Sequence, residues 1–320
     1  MKNPSFLVLL LLFGVAIGSC KKEQEPTVPI VEVDAYPVLE AEYTRFDVQD
    51  NTDFSLYDSN IIDYDLKEIS GLVTGRKNQD VVYVHEDSSN RNVVFVYTKE
   101  AVHLGNIVLF GTTNRDWEDI AIGPGPIEGV NYIYVADFGD NNSVREWVRI
   151  HRFPEPDLPA SDGEPFEIIV DDYETIKYQY PDGPRDAETL LLDPFTKDLF
   201  VVTKREVFVH VYQLPYPQAT EGYSEIHFRG QLPLKTLVGG DISQDGQQIL
   251  IKSYGTIYHW SVEDENPVNT LFSQTPTSVE YIPEVQGESV GWTSDGLGYF
   301  TITETDKHEA EPILYYYRKN

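Results

Sequence analysis

Acidic residues recur at the start of five short apolar segments, and carboxylates gathered at one place could bind a cation or move protons. These residues are Glu68, Glu118, Glu188, Asp241 and Glu288, spaced 50, 70, 53 and 47 residues apart. Carboxylate oxygens are ligands that Ca²⁺ and Mg²⁺ prefer, and a positioned carboxylate can serve as a general base. If the segments are equivalent units of a repeat, their acidic side chains meet.

Strands rich in Val, Ile, Tyr and Phe follow each acidic segment, which identifies the repeat. We predict an all-β fold, a β-propeller of about five four-stranded blades, with six blades as the alternative count because the interval after Glu118 is long. The last blade runs out of chain after Tyr317, so an N-terminal strand at 39–46 is expected to close the ring. An ordinary two-sheet sandwich is the alternative fold. Fourth strands are predicted at 106–110, 166–170, 226–229 and 270–273, and no stretch shows a helical period.

The N-terminus predicts export and lipid attachment. Lys2 precedes an apolar run from 6 to 17, which is typical of a signal peptide and too short to span a bilayer. The run ends in Ile17-Gly18-Ser19-Cys20, which resembles a bacterial lipobox, and Cys20 is the single cysteine. We therefore predict a lipoprotein signal peptide at 1–19, lipidation at Cys20, a tether at 20–35 and a propeller domain at 36–320. A simple secretory peptide is the alternative.

The expected location is the bacterial cell envelope, with the protein anchored to the outer membrane on its periplasmic or surface face. The formal net charge of −29 would repel phosphate backbones, so nucleic acid is not an expected partner. This charge suits divalent cations, although acidity for solubility explains it equally well. Because the single cysteine is the predicted lipidation site, disulfides and cysteine catalysis are excluded. The expected partners are a small-molecule or glycan ligand and the membrane, and we expect a monomer.

In a propeller, the loop that enters each innermost strand and the loop that joins the next two strands open on the same face. The acidic residues should therefore meet the side chains of the tips that follow the second strands. One tip carries Lys204 and Arg205. We predict a catalytic group of Glu118, Glu188, Lys204 and Arg205, in which a glutamate acts as base and the two cations stabilise developing negative charge.

The densest oxygen cluster in these tips is Asp137, Asp140 and Asn141, which we predict to bind a metal, Ca²⁺. The residues expected to bind the ligand are Glu68, His85, Asp87, Asp186 and Glu288. Structural roles are open for all of these residues. An acidic residue at the start of a strand could accept backbone N–H groups from the next blade, the Asp137 cluster could be a solvated turn, and His85 could be a hydrogen-bonded core residue.

The order of motifs along the chain resembles a family of secreted bacterial β-propellers that has no settled activity. The motifs are Glu-Ile-Ser-Gly-Leu (68–72), His-Glu-Asp-Ser (85–88), Asp-Trp-Glu-Asp-Ile-Ala (116–121), Asp-Phe-Gly-Asp-Asn (137–141), Phe-Pro-Glu-Pro (153–156), Asp-Ala-Glu-Thr-Leu (186–190), Asp-Ile-Ser-Gln-Asp-Gly (241–246) and Gln-Gly-Glu-Ser-Val (286–290). More distantly, the acidic residues resemble those of calcium-dependent propellers such as phytases, gluconolactonases and esterase-like relatives. That likeness implies a metal on the channel axis. Glu86 departs from the common His-Asn-Asp-Ser form, and the absence of a basic run counts against phytase activity.

The leading hypothesis is a lipid-anchored cell-envelope propeller with an acidic channel mouth that binds a divalent cation. Whether it is an enzyme stays open. As an enzyme it would be a metal-dependent hydrolase of a small polar ester, lactone or phosphate ester. The alternative is a non-catalytic scaffold that binds a glycan or a protein at the cell surface.

Overall fold

The computed structural model describes residues 35–62, 66–160, 163–262, 266–303 and 311–320. The predicted signal peptide at 1–19, the lipidation site Cys20 and the tether, apart from Ala35, lie outside the described residues. The described chain begins with three strands, which are β1 (Leu39–Glu40), β2 (Gln49–Asp50) and β3 (Phe54–Ile61). Each of them joins a different sheet formed by later parts of the chain.

Blade 1 has a fifth strand, which comes from the part of the chain that also forms blade 2. Blade 1 contains, from the channel outward, β4 (Ile69–Thr74), β5 (Val81–Glu86), β6 (Val93–Thr98) and β7 (His103–Leu109). Blade 2 contains β8 (Trp117–Pro124), β9 (Asn131–Asp137) and β10 (Val148–Pro154). The chain then crosses to blade 1, where β11 (Phe166–Val170) pairs in parallel with β7, and returns as β12 (Glu174–Tyr178), the outer strand of blade 2. The strand predicted at 166–170 exists. Its order along the chain predicted it as the fourth strand of blade 2, which was wrong, because it pairs with β7 of blade 1.

Blades 3, 4 and 5 complete the ring. Blade 3 contains β13 (Ala187–Leu192), β14 (Leu199–Thr203), β15 (Val209–Leu214) and β16 (His227–Leu232). Blade 4 contains β17 (Leu237–Ile242), β18 (Gln248–Ser253) and β19 (Ile257–Ser261), followed by helix α1 (Pro267–Ser273) and strand β20 (Thr277–Val279). Blade 5 contains β21 (Ser289–Trp292), β22 (Gly298–Ile302) and β23 (Ile313–Lys319). The prediction of an all-β, five-bladed propeller is confirmed.

Helix α1 stands where a strand was predicted at 270–273. Its start carries a recognisable signal, because the Asn266 side chain accepts a hydrogen bond from the Val268 N–H at 3.2 Å and Pro267 occupies the first turn. The Asn266 cap and the proline in the first turn together favour the start of a helix over a strand. No helix among the described residues is long and apolar enough to cross a membrane.

The N-terminal segment closes the ring, although the predicted strand at 39–46 is not the one that does so. β3 pairs antiparallel with β23 along its whole length and supplies the fourth strand of blade 5. β1 instead adds in parallel to β16 of blade 3, and β2 adds in parallel to β20 of blade 4. A long outer strand needs a long partner, and β3 has eight residues where β1 has two.

The core consists of five apolar clusters, each between two neighbouring blades. The cluster between the last and first blades shows that the ring is closed, since Phe300 and Leu314 of blade 5 pack with Leu72 and Phe95 of blade 1. All four side chains are buried. Closure by packing and by β3 leaves no blade with an open face toward the next.

Two acidic residues of the innermost strands hold neighbouring blades in register. The Asp119 carboxylate accepts the Leu190 N–H of blade 3 at 2.8 Å and the Gly240 N–H of blade 4 at 3.3 Å. The Asp241 carboxylate accepts the Trp292 N–H of blade 5 at 2.9 Å. For these two residues the structural alternative raised from the sequence is the one observed. They join the blades of the ring, and neither belongs to the acidic groups that are gathered in the described part of the chain.

We expect Asp119→Ala to lower the free energy of unfolding by about 3 kcal/mol, because the buried N–H groups of Ile120, Leu190 and Gly240, in blades 2, 3 and 4, lose their acceptor. Urea unfolding followed by circular dichroism measures the change. Asp80→Ala is the matched control, since the Asp80 side chain is fully exposed, and its effect should stay within about 0.5 kcal/mol. Equal effects of the two substitutions would contradict this role of Asp119.

Candidate functional site

The start of the innermost strand is irregular in four blades, and this irregularity decides where the acidic side chains lie. The pairing with the second strand shifts between Ile69 and Gly71, and the same shift occurs in blades 2, 3 and 4. A β-bulge of this kind leaves one residue unpaired and redirects its side chain. The residues at the bulge are Ser70, Glu118, Glu188 and Val238.

Three glutamates meet around the channel at the starts of the innermost strands. Glu118 and Glu188 occupy bulge positions, and Glu288 directly precedes β21. One carboxylate oxygen from each lies within 4.8 Å of the others, and the three residues are buried. The expectation that all five repeated acids are equivalent was wrong. Glu68 lies two residues before its bulge and Asp241 three residues after its own.

A second acidic group shares Glu118 with the first. Oxygens of Asp87, Asp116 and Glu118 also lie within 4.8 Å of one another. Asp87 comes from the tip after β5, and Asp116 precedes β8. The tip after β9 approaches this group closely, because a Cβ atom on Gly139 would overlap Glu118 Oε1 and the Asp116 carboxylate. A larger residue at 139 would therefore displace the Glu118 and Asp116 carboxylates.

Lys204 neutralises one side of this acidic assembly. Its Nζ lies 2.5 Å from Glu188 Oε1 and 3.5 Å from Glu288 Oε1. The Tyr254 hydroxyl donates to Glu288 Oε1 at 2.7 Å, and the ammonium group stands 5.0 Å from the centre of the Tyr254 ring. Glu188 and Glu288 thus have direct partners.

Glu118 has no such partner. It is 3% exposed, and in the described part of the chain no hydrogen bond or ion pair reaches its carboxylate. A buried carboxylate without a donor is costly unless it holds a proton or binds a cation. Glu118 is therefore the residue whose surroundings most require a ligand.

Burial raises the pKa of Glu118 and of Glu188 well above the ordinary value, and the neighbouring carboxylates add to this effect. Burial also raises the pKa of Asp87 to about 7 and that of Asp116 to about 6. For Lys204, burial alone would lower the pKa, but Glu188 and Glu288 outweigh it and the pKa is raised. The ammonium therefore stays charged, while the acidic side away from it retains protons or accepts a cation.

Except for Asp116, these groups form the floor of a cavity of about 900 Å³, which we name the axial pocket. The predicted catalytic residues all line it, as do Asp87 and Glu288 of the predicted ligand-binding residues. One wall is apolar and partly exposed, with Phe46 from the N-terminal segment and Val207 and Phe208 from blade 3. An acidic floor below an apolar wall suits a small ligand with one polar end.

The predicted metal cluster of Asp137, Asp140 and Asn141 is not assembled as expected. Arg145 Nη2 lies 3.1 Å from Asp137 Oδ1, and Arg149 Nε donates to Asp137 Oδ2 at 2.7 Å. Asp140 accepts the Arg145 N–H at 2.6 Å. At Asp137, guanidinium groups thus take the place that a cation would need, and neither aspartate belongs to the two acidic groups found among the described residues. Asn141 lines the axial pocket and contacts Arg205.

Three predicted ligand-binding residues lie outside the set that lines the pocket. Asp186 accepts the Asp140 N–H at 2.8 Å and the Arg205 Nε–H at 2.5 Å, so it positions the tip that carries Arg205. Glu68 accepts the Asn90 amide at 3.0 Å. Both act on loops next to the pocket and are absent from its lining among the described residues.

His85 is a core residue. It has no exposed surface, and its Nδ1 lies 3.2 Å from the Glu86 carbonyl oxygen and 3.4 Å from Ser70 Oγ. Burial lowers the pKa of His85 to about 4, so the ring is neutral. The ring fills the space beside Gly71, where a Cβ atom would overlap it.

Several residues of the pocket and of the acidic groups beside it were not predicted from the sequence. Tyr254 follows β18 in a tip, so its position in the repeat could have indicated it. Asp116 is one of the acidic residues of the repeat, yet no site role was predicted for it. Phe46 carried no usable signal, because the N-terminal segment reaches the pocket from outside the repeat.

No protein-family model matches the sequence, and no curated protein matches it. Among solved structures, the fold is similar to the Neurospora crassa Pan2 WD40 domain, with a TM-score of 0.43 and 10% sequence identity over 85% of this chain and 97% of that one. The class of protein, a five-bladed β-propeller, follows from the five sheets described above. The resemblances to a bacterial lipoprotein family and to calcium-dependent propellers stay predictions.

Proposed function

We propose that this protein is a lipid-anchored β-propeller of the bacterial cell envelope whose axial pocket binds a divalent cation, Ca²⁺, and hydrolyses a small polar ester, lactone or phosphate ester. The observation that supports it most is Glu118, a buried carboxylate without a donor that stands between two acidic groups. Hydrolysis rests on the neighbouring Glu188 and Lys204, and anchoring rests on the sequence around Cys20.

The cation fits best on the side of the pocket away from Lys204. Lys204 already compensates Glu188 and Glu288. Among the described residues, Asp87, Asp116 and Glu118 form no ion pair, and Arg145 acts on Asp116 through its charge alone. Oxygen ligands lie about 2.3–2.6 Å from Ca²⁺, so oxygens within 4.8 Å of one another can surround a single ion. Hard carboxylate oxygens without histidine or thiolate favour Ca²⁺ or Mg²⁺ over transition metals.

The chain's own residues divide the chemistry between them. A bound Ca²⁺ would polarise a carbonyl or phosphoryl oxygen of the substrate. Glu188 is placed to accept a proton from an attacking water, because its carboxylate lines the pocket and the Lys204 ammonium favours its ionised form. Lys204 and Arg205 line the same axial pocket and would stabilise negative charge that develops on the substrate.

Replacing Glu118 should remove the cation site. We expect Glu118→Gln and Asp116→Asn each to weaken Ca²⁺ binding at least about ten-fold, since each loses a charged ligand. Isothermal titration calorimetry of Ca²⁺ into chelator-treated protein measures this. Asn141→Ala, in the cluster first predicted from the sequence, should bind like the wild type, as should the exposed-residue control Glu128→Gln. Unchanged binding by Glu118→Gln, or loss on Asn141→Ala alone, would contradict the site.

Turnover separates the hydrolase from the non-catalytic scaffold. With Ca²⁺ bound, the wild type should hydrolyse at least one of 4-nitrophenyl acetate, glucono-δ-lactone and 4-nitrophenyl phosphate. Glu188→Gln should lower kcat about 10²-fold or more with a smaller change in KM, because a general base contributes about that factor. Spectrophotometric rates measure both constants. Calcium binding without turnover of any of the three would refute the hydrolase and favour a binding role.

The anchor has its own test. Cys20→Ser should move the protein from the membrane fraction to the soluble fraction of the expressing bacterium, because a diacylated cysteine supplies the hydrophobic attachment. Fractionation and immunoblotting measure the distribution. Ser19→Ala is the matched control, since it keeps a small residue before the cysteine. Equal membrane association of Cys20→Ser and the wild type would contradict lipidation there.

A further inference from the structure

A second cavity lies at the opposite ends of the innermost strands. The axial pocket stands at the starts of these strands, and this cavity of about 210 Å³ is lined by residues that end or follow β4, β8, β13 and β17. Arg76, Ile122, Leu192 and Ile242 represent these four strands in its lining. The cavity therefore belongs to the other mouth of the channel and is separate from the acidic site.

Arg76 is a buried cation in this lining. It is 5% exposed, and its Nε and Nη1 atoms have no hydrogen-bond partner among the described residues. No described carboxylate lies within 4.0 Å of its guanidinium group. Burial raises the pKa of Asp241 to about 6, and the charge of Arg76 opposes this rise, but the Asp241 carboxylate already accepts the Trp292 N–H. The guanidinium group of Arg76 thus has Asp241 as a distant counter-charge, and no described residue accepts a hydrogen bond from it.

A guanidinium group carries five N–H donors and strongly favours planar oxyanions that can take two hydrogen bonds at once. Buried cations in proteins are paired. The side chains around Arg76 offer donors and apolar surface, since the amides of Asn131 and Gln244 line the cavity beside Leu192 and Ile122. In the described part of the chain, Arg76 carries the one positive charge of the lining.

We propose that this second cavity, the Arg76 cavity, binds the carboxylate group of a small organic acid. A carboxylate supplies the acceptors and the charge that Arg76 lacks, and the amides of Asn131 and Gln244 can donate to it. A single guanidinium in a chain of net charge −29 favours a monoanion over phosphate, whose second charge would be uncompensated. The apolar side of the lining receives the short hydrocarbon part of the acid.

Butyrate is the probe for this site, and the variant is Arg76→Met, which keeps most of the side-chain volume. A ligand that binds the folded state raises the melting temperature in a saturable way. We expect butyrate to do so for the wild type, and Arg76→Met to weaken the apparent affinity at least about ten-fold. Lys77→Met is the matched control, because Lys77 is a half-exposed neighbour paired with Asp157, and it should bind butyrate like the wild type.

A second variant keeps the test decisive if Arg76→Met does not fold. Gln244 is exposed, so Gln244→Ala is expected to fold, and it should weaken butyrate binding at least about three-fold through the lost hydrogen bond. Carbon-13 NMR of labelled butyrate gives an independent affinity. The proposal is overturned by a wild type that shows no saturable binding, by unchanged binding in Arg76→Met or Gln244→Ala, or by equal binding of phosphate or chloride at matched ionic strength.

Discussion

The bulge at the start of the innermost strands is the constraint on which the rest of the site depends. A regular strand alternates its side chains between two faces, and both faces of these strands are buried between blades. The bulge takes one residue out of this alternation. In blades 2 and 3 that residue is a glutamate, and Glu288 reaches the same place in blade 5. Three carboxylates therefore meet at the channel mouth, and the ring of blades holds them there.

The buried acids of this protein divide according to what their oxygens contact. Asp119 and Asp241 accept backbone N–H groups and join blades. Asp137 and Asp186 accept guanidinium groups and hold loops. Glu188 and Glu288 share Lys204. Glu118 remains with carboxylate neighbours alone, which is why its surroundings, more than the number of acids in the chain, indicate where a cation would bind.

The two mouths of the channel have opposite chemistry. At the starts of the innermost strands, carboxylates, a lysine and apolar side chains line one cavity. At the opposite ends of the same strands, one buried arginine and side-chain amides line the other cavity. The strands themselves contribute mostly apolar residues between these ends. A propeller permits this separation because the loops at each mouth vary without disturbing the packing between blades.

Much of the fold could be predicted from the sequence, because blade packing imposes a local pattern of paired β-rich segments that recurs along the chain. The acidic floor was also predictable in part: Glu118, Glu188, Lys204 and Arg205 do line one pocket. The pairing of β11 with blade 1, the closure by β3 and the arrival of Phe46 were not, since each depends on contacts between segments far apart in the chain. The same is true of the roles of the acids. Sequence alone determined that carboxylates recur just before or within the innermost strands. Only the tertiary structure decided which ones meet backbone amides, which meet arginines and which meet each other, because a shift of one or two residues at a bulge changes the partner of every side chain beside it.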